Sequence, residues 1–356
     1  MTQDPILSVR GLQIRFGLRG RTLHAIRDID LDLYRGEVLA LVGESGSGKS
    51  VFTKSFMGLL DANGSITGGS IDYYPTPGCV PLHLAALKTE KEWLTVRGRE
   101  IAMVMQDPMT SLNPLKTIGE QITEAVTLHQ GLKGAAAREK TLEYLRDVGI
   151  SDPALRYKQY PHEFSGGMRQ RVVIAIALAC NPKILLCDEP TTALDVTIQA
   201  QILQLLRQMR AKYHLTIVLI THDLGVVANL ADRVAVMYAG DIVEIGTADE
   251  IYYDPRHPMG AAVQYAPDGR EGRGPVQHPG HAAQPVRGDP RRRLCAPQPA
   301  GAQDRFCQAP ALLCSVAHPQ GAHMAAGPSC APHRAARCGE KAAKGGAVIW
   351  QSRYWK

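Results

Sequence analysis

The sequence has no apolar stretch that is long enough and free enough of charge to span a bilayer. Residues 1–10 also lack the order of a secretory signal, a basic segment followed by an apolar one. We therefore expect a chain that is made and kept in the cytoplasm. It would reach a membrane only through a partner.

Most of the chain has no excess of positive charge. The net charge is +6, but residues 259–356 hold 13 Lys and Arg against 5 Asp and Glu, which leaves 27 basic and 29 acidic residues for the rest. The larger part therefore lacks the electrostatic footprint of a nucleic-acid-binding domain. Nucleic-acid binding through the tail alone stays an alternative. A measurement that finds no DNA binding, or binding that does not depend on salt, would rule this alternative out.

Cysteine is sparse and irregularly spaced. Cys79, Cys180 and Cys187 lie in the first part and five more lie in the tail, with spacings that fit neither a zinc site nor a disulfide framework. We interpret the first three as small buried side chains. The sequence has no internal repeat.

Short apolar runs alternate with helical patterns along residues 5–258. The patterns predict strands at 6–14, 23–38, 38–42, 101–105, 184–187, 215–220 and 234–238, and helices at 50–60, 117–148, 166–180, 196–213 and 224–230. Such alternation indicates an α/β core with a mostly parallel sheet.

A glycine-rich segment between a predicted strand and a predicted helix fits the pattern G-x-x-x-x-G-K-[ST] of a phosphate-binding loop. Glycines let successive backbone N–H groups converge on phosphate oxygens, Lys49 can reach the β- and γ-phosphates, and Ser50 can offer its hydroxyl to Mg²⁺. The predicted ATP-binding residues are Gly43, Glu44, Ser45, Gly46, Ser47, Gly48, Lys49 and Ser50.

Four apolar residues, 184–187, lead into two adjacent acids, Asp188 and Glu189. A buried strand delivers such acids to the carboxyl edge of the sheet, where α/β proteins bind ligands. Two like charges there are costly unless a cation lies nearby. We expect Asp188 to hold Mg²⁺ through its water shell and Glu189 to polarise the attacking water. A helix-capping acid would explain one carboxylate but not both.

The segment Phe164–Arg171, FSGGMRQR, resembles the signature of ABC ATPases, commonly LSGGQ, with Phe and Met at two of its positions. It lies between the phosphate-binding loop and the acidic strand, as in that family. The resemblance implies a P-loop NTPase (RecA-like) core, an N-terminal antiparallel β region and a helical subdomain inserted at about 107–162. It also implies that Ser165, Gly166 and Gly167 cover the γ-phosphate held by another subunit.

Further residues follow from the same resemblance. Gln106 matches the Q-loop, which touches Mg²⁺ and communicates with the membrane subunit, and Asp195 closes the D-loop triplet Ala-Leu-Asp. His222, after a buried strand, matches the switch histidine that steadies the γ-phosphate and the attacking water. Phe16 matches the aromatic residue that stacks on adenine, although a core phenylalanine is an equal alternative.

Two longer strings, QDPMTSLNP at 106–114 and FSGGMRQR, resemble the ATPases of dipeptide, oligopeptide and nickel importers. The resemblance covers residues 7–258. It implies a head-to-tail dimer with a second ATPase, the same or a related chain, at the cytoplasmic face of the cell membrane. It further implies two membrane permease subunits and, indirectly, a solute-binding protein. The alternatives are a soluble ABC ATPase not coupled to transport and an assembly subunit with a degenerate site.

Residues 259–356 change in texture, with Pro, Gly, Ala, Arg, His and Cys dominating without periodicity. Back-translation one nucleotide forward permits strings similar to the family's own tail, among them SIPGMPPNL from residues 277–286. Our hypothesis is a reading-frame change near Met259. The alternative is a genuine disordered tail. Early stop codons in the alternative frame of the gene would rule out the frame change.

Overall fold

The computed structural model describes residues 4–18, 20–192 and 194–258. The tail hypothesis for residues 259–356 therefore falls outside the described part of the chain. Among the described residues, no helix has the length and apolarity that a membrane crossing requires.

The strands form two sheets. In chain order they are β1 (Pro5–Leu18), β2 (Arg21–Tyr34), β3 (Val38–Val42), β4 (Gly64–Tyr73), β5 (Leu82–His83), β6 (Ile101–Val104), β7 (Ile184–Asp188), β8 (Thr216–Ile220), β9 (Arg233–Tyr238) and β10 (Asp241–Thr247). One sheet is antiparallel with the order β2-β1-β4-β5, and the other has the order β10-β9-β3-β8-β7-β6. In the larger sheet β10 alone runs antiparallel to its neighbour. The predicted mostly parallel core and N-terminal antiparallel β region are confirmed.

Most of the described helices lie in the connections between strands of the larger sheet. The helices are α1 (Lys49–Ser55), α2 (Glu90–Trp93), α3 (Pro108–Ser111), α4 (Ile118–Gln130), α5 (Gly134–Asp147), α6 (Pro153–Arg156), α7 (Gly166–Ala179), α8 (Val196–Tyr213), α9 (Leu224–Leu230) and α10 (Ala248–Tyr253). Short 3₁₀ turns lie at Leu84–Ala86 and Pro161–Glu163. The span 107–162 contains α3 to α6.

Alternate residues of the central strands face two separate cores. On β7, Leu185 and Cys187 pack with the helical side of the sheet, whereas Ile184 and Leu186 pack with the antiparallel sheet and α1. Every residue of β3, β7 and β8 is buried. Burial on both faces explains why these strands are continuous apolar runs rather than alternating ones.

Two predicted helices differ from the observed ones. The helix predicted to reach residue 60 ends at Ser55, because Gly58 takes a φ of +60° and the Leu59 N–H donates to the Lys54 carbonyl across the closing turn. The helix predicted over 117–148 is two helices, since Gly131, with a φ of +72°, caps α4. The strands β4 and β10 and the helix α10 were not predicted, because their burial is mixed or low.

Candidate active site

The phosphate-binding loop joins the end of β3 to the start of α1. Gly43, Gly46 and Gly48 all have positive φ angles, of 150°, 81° and 105°. A Cβ atom at Gly43 would lie 2.1 Å from the backbone oxygen of Met237, so the loop is pressed against β9. Only glycine fits at position 43, because any other side chain would collide with the backbone of β9.

Lys49 is bound to the loop that precedes it. Its Nζ donates hydrogen bonds of 2.8 Å to the carbonyl oxygens of Gly43 and Glu44, and the residue is 6% exposed. Burial lowers the pKa of Lys49, while the charges of Glu189 and Asp188 oppose that shift. The loop thus holds the ammonium group of Lys49 where it interacts with the carboxylates of Asp188 and Glu189.

Asp188 ends β7 beside the loop. It is 8% exposed, and its Oδ1 accepts a 3.1 Å hydrogen bond from the Ser50 hydroxyl. Burial raises the pKa of Asp188, and the Ser50 hydrogen bond acts against this. The sheet therefore brings a hydroxyl oxygen and a carboxylate together where the loop begins its helix.

Glu189 is the centre of the second group of predicted residues. Its Oε2 accepts hydrogen bonds from Gln106 Nε2 at 2.7 Å and Thr192 Oγ1 at 3.0 Å, and its Oε1 lies 3.3 Å from His222 Nδ1. Gln106, Glu189 and His222 follow the adjacent parallel strands β6, β7 and β8, so their meeting follows from the strand order. Glu189 itself adopts a φ of +46°, a strained backbone conformation of the kind that clusters at functional sites.

Thr192 was not among the predicted site residues. A hydroxyl three residues after an acid, in the string Asp-Glu-Pro-Thr-Thr, is the signal that the sequence offered. That signal is weak because threonine is common in turns.

The signature residues begin α7. Ser165 is the N-cap, and its hydroxyl accepts a 3.4 Å hydrogen bond from the Met168 N–H. A Cβ atom at Gly167 would lie 2.6 Å from Cγ2 of Ile198 on α8, and one at Gly166 would lie 3.5 Å from Leu194. The signature therefore packs against the D-loop and the start of α8.

The D-loop precedes α8. Ala193 lies outside the described residues, and Asp195 is the N-cap residue of α8 without a side-chain capping bond. Gln199 spans the loop, since its Nε2 donates to the carbonyl oxygens of Thr191 at 3.2 Å and Leu194 at 3.1 Å.

Two side chains are more buried than an open ligand contact requires. Phe16 is 8% exposed in the core beside the antiparallel sheet, with Gly64 against its ring. Ser47 is 3% exposed, and its Oγ has no hydrogen-bond partner within the described residues. The stacking of Phe16 on adenine stays a prediction, and its core packing is what the structure records.

Comparison with known proteins gives a consistent result. The "ABC transporter" family model matches residues 26–192. The chain is 58% identical over 256 residues to the oligopeptide transport ATP-binding protein AmiE of Streptococcus pneumoniae, covering 72% of this chain and 70% of that protein. It is 52% identical over 256 residues to the dipeptide transport ATP-binding protein DppD of Bacillus subtilis, covering 72% and 74%.

Solved structures agree with the fold. A dimeric post-hydrolysis state of the ATP-binding cassette MJ0796 bound to ADP and Pi matches with a TM-score of 0.58 at 27% identity, over 68% of this chain and 98% of that one. The structure of cbiO1 from Clostridium perfringens, part of an ABC transporter complex, matches with a TM-score of 0.60 at 27% identity, over 74% and 100%. The chain therefore belongs to the ABC transporter family and is one of its ATP-binding, ATP-hydrolysing subunits, related to those named for oligopeptide and dipeptide transport.

Proposed function

We propose that residues 5–258 form the ATPase domain that powers an importer of peptides or similar small solutes at the cytoplasmic face of the cell membrane. The observation that carries the proposal is the contact of Glu189 with both Gln106 and His222, beside a phosphate-binding loop that holds Lys49. The names of the relatives support peptides as the solute class.

Residues 43–50 bind the phosphates of ATP in this proposal. Lys49 exchanges its two carbonyl partners, Gly43 and Glu44, for the β- and γ-phosphate oxygens. The exchange is favourable because a buried ammonium group gains charged partners in place of neutral ones. The hydroxyl of Ser47, which has no hydrogen-bond partner among the described residues, is a further donor inside the same loop.

The residues at the start of α1 and the end of β7 fit a magnesium ion. Ser50 offers a hydroxyl oxygen to the ion, and Asp188, with a carboxylate oxygen 3.1 Å from that hydroxyl, would hold the ion through its water shell, while phosphates and water supply the other ligands. Gln106 is the third candidate, with an amide oxygen at the same sheet edge. The ion supplies neutralisation of phosphate charge.

Glu189 and His222 act on the attacking water in the proposal. Glu189 accepts a hydrogen bond from that water and polarises it as a general base, and His222, 65% exposed in its side chain, steadies the water and the γ-phosphate. Because phosphoryl transfer needs mainly positioning and charge neutralisation, these residues have little covalent chemistry to perform.

A second ATPase subunit completes each site. Ser165, Gly166 and Gly167 begin α7 and pack against the D-loop, where Asp195 is exposed. In a head-to-tail dimer they cover the γ-phosphate bound by the other subunit. The dimeric state of the similar cassette MJ0796 supports this arrangement.

In the proposal the complex contains two permease subunits, and the helical region at 107–162 carries the motion of the ATPase domain to the membrane. This region has five exposed large apolar side chains that can be buried against a partner, namely Met109, Leu115, Leu128, Leu155 and Tyr160. A solute-binding protein delivers the solute to the permease, so this chain does not touch it.

The test is ATP turnover and peptide uptake by the full chain, alone and co-expressed with its neighbouring transporter genes. We expect turnover to rise with the partners and uptake to require them, and both to be lost in Lys49→Ala but kept in the exposed control Lys91→Ala. Turnover that is indifferent to partners, with no uptake, would favour a soluble ABC ATPase. Unchanged turnover in Lys49→Ala would contradict the site itself.

A further inference from the structure

We propose that Thr192 is a positioning residue that anchors Oε2 of Glu189 and thereby leaves Oε1 for the attacking water. This inference rests on the proposed role of Glu189. It concerns a residue that neither the motif pattern nor the family signature singled out.

The contact is local and geometrically constrained. The Thr192 hydroxyl donates to Glu189 Oε2 at 3.0 Å, and the Thr192 backbone N–H donates to the Glu189 carbonyl oxygen at 3.2 Å. Two hydrogen bonds, one from the side chain and one from the backbone of Thr192, therefore stabilise the same turn. A β-branched side chain has a restricted χ1 angle, so the turn itself aims the hydroxyl.

The two carboxylate oxygens of Glu189 are bonded unequally. Oε2 accepts hydrogen bonds from both Gln106 and Thr192, whereas Oε1 has, within the described part of the chain, one long contact of 3.3 Å with His222. Two donors occupy the lone pairs of Oε2 that would otherwise be free. Oε1, beside His222, is therefore the oxygen able to accept a hydrogen bond from water.

Of the two donors to Oε2, Thr192 is the more firmly held. Gln106 is exposed at the start of the segment leading to α3, while Thr192 is half-buried between two carbonyl groups that Gln199 holds. If Gln106 moves when the helical region moves, Thr192 keeps Oε2 in place. Fixing a glutamate side chain costs rotamer entropy. A hydrogen bond from Thr192, which lies outside the helical region, offsets this cost even when Gln106 has moved away.

The experiment compares Thr192→Val, which keeps the shape and removes the hydroxyl, with Thr192→Ser, which keeps the hydroxyl. ATP turnover is measured on the full chain assembled with its transporter partners, with Thr191→Val as the adjacent control. We expect Thr192→Val to lower kcat about tenfold, as loss of one hydrogen bond to a charged group predicts, with the KM for ATP unchanged. Thr192→Ser and Thr191→Val should retain turnover.

Several outcomes would overturn the proposal. They are an unchanged kcat in Thr192→Val, an equal loss in Thr192→Ser, or a rise in KM without a fall in kcat. Should Thr192→Val not fold, Thr192→Ala against Thr192→Ser makes the same comparison. Glu189→Gln is measured in parallel. If this variant retains ATP turnover, the proposed role of Glu189 is wrong. If Glu189→Gln loses turnover while Thr192→Val keeps normal turnover, only the anchoring role of Thr192 is contradicted.

Discussion

The hydroxyl of Ser50 donates a 3.1 Å hydrogen bond to Oδ1 of Asp188, although 138 residues separate the two in the chain. Ser50 lies in the first turn of α1 and Asp188 ends β7, two strands away from β3 in the sheet. Burial raises the pKa of Asp188, so the site favours a nearby positive charge. In the proposed function, this hydroxyl and carboxylate are the protein's contribution to a magnesium site.

Replacing Asp188 by Asn should raise the Mg²⁺ concentration needed for half-maximal ATP turnover by about tenfold or more, the usual cost of losing a residue that holds a metal's ligand shell. Turnover titrated with Mg²⁺ at saturating ATP measures this. The exposed Asp61→Asn variant is the matched control. An unchanged Mg²⁺ requirement in Asp188→Asn would remove Asp188 from the metal site.

Replacing Glu189 by Gln should leave ATP binding intact and lower turnover by at least about 100-fold, the lower range for loss of a general base. The amide keeps the shape but cannot take up a proton. Nucleotide binding and turnover in the assembled transporter are measured together. The exposed Glu139→Gln variant on α5 should behave as the wild type, and unchanged turnover in Glu189→Gln would contradict the assignment.

Alanine at Gly167 should disturb the protein more than alanine at Gly166. The new Cβ atom would lie 2.6 Å from Ile198 Cγ2 at Gly167, but 3.5 Å from Leu194 at Gly166, which is an ordinary contact. Forcing a methyl group into such a packed contact costs about 1–3 kcal/mol of unfolding free energy. Urea denaturation of both variants gives the comparison. Adding Ile198→Ala should restore stability to Gly167→Ala, and failure of this rescue would place the strain elsewhere.

The antiparallel sheet depends on Gly69. Alanine there would place Cβ 2.3 Å from the Gly11 carbonyl oxygen, at a register shift of β1 against β4, with a φ of +81°. Gly78 has a similar φ of +70° but open space around it. Both variants suffer the backbone penalty of about 1–2 kcal/mol, and Gly69→Ala alone adds a backbone clash. The midpoint temperature of thermal unfolding should therefore fall further in Gly69→Ala than in Gly78→Ala. An equal fall in the two variants would refute this account.

Acid should destabilise the protein through His129. Burial, and next the charge of Arg99, lower the pKa of His129 in the folded state. The unfolded chain therefore binds more protons as the pH falls below about 6.5, and the contribution of this residue to the free energy of unfolding declines over that range. Urea denaturation at pH 7.5 and 5.5 should show a smaller loss in His129→Gln than in the wild type. For the exposed control His24→Gln, the decrease in the free energy of unfolding between pH 7.5 and 5.5 should equal that of the wild type.

The contiguous motifs could be predicted from the sequence. Residues 43–48 form the expected loop between β3 and α1, Lys49 and Ser50 begin α1, and Asp188 ends the expected buried strand. Such features are local, because glycine spacing and an unbroken apolar run fix the backbone of a short segment regardless of what lies around it. The helices α8 and α9 also begin and end at the predicted residues, because hydrophobic periodicity is likewise a local feature of the sequence.

Elements whose burial is partial were harder to predict. The strand β10 has no fully buried residue and runs antiparallel at the sheet edge, and the long helical pattern over 117–148 concealed the break at Gly131. Edge strands and exposed helix faces carry little hydrophobic periodicity, so the pattern alone underdetermines them. Phe16 illustrates the same limit, since the sequence left a ring on adenine and a ring in the core as equal alternatives and the structure records it as buried.

The sequence by itself determined the local motifs to which we assign the chemistry: a glycine-rich loop, two acids at a strand end, and a serine-glycine-glycine helix start. The tertiary structure alone decided how they meet. Gln106, Glu189 and His222 come together because β6, β7 and β8 are adjacent and parallel, and Thr192 joins them through a turn whose direction depends on the strained backbone of Glu189. Strand order and turn direction are set by packing between distant segments, and no local pattern in the chain records them.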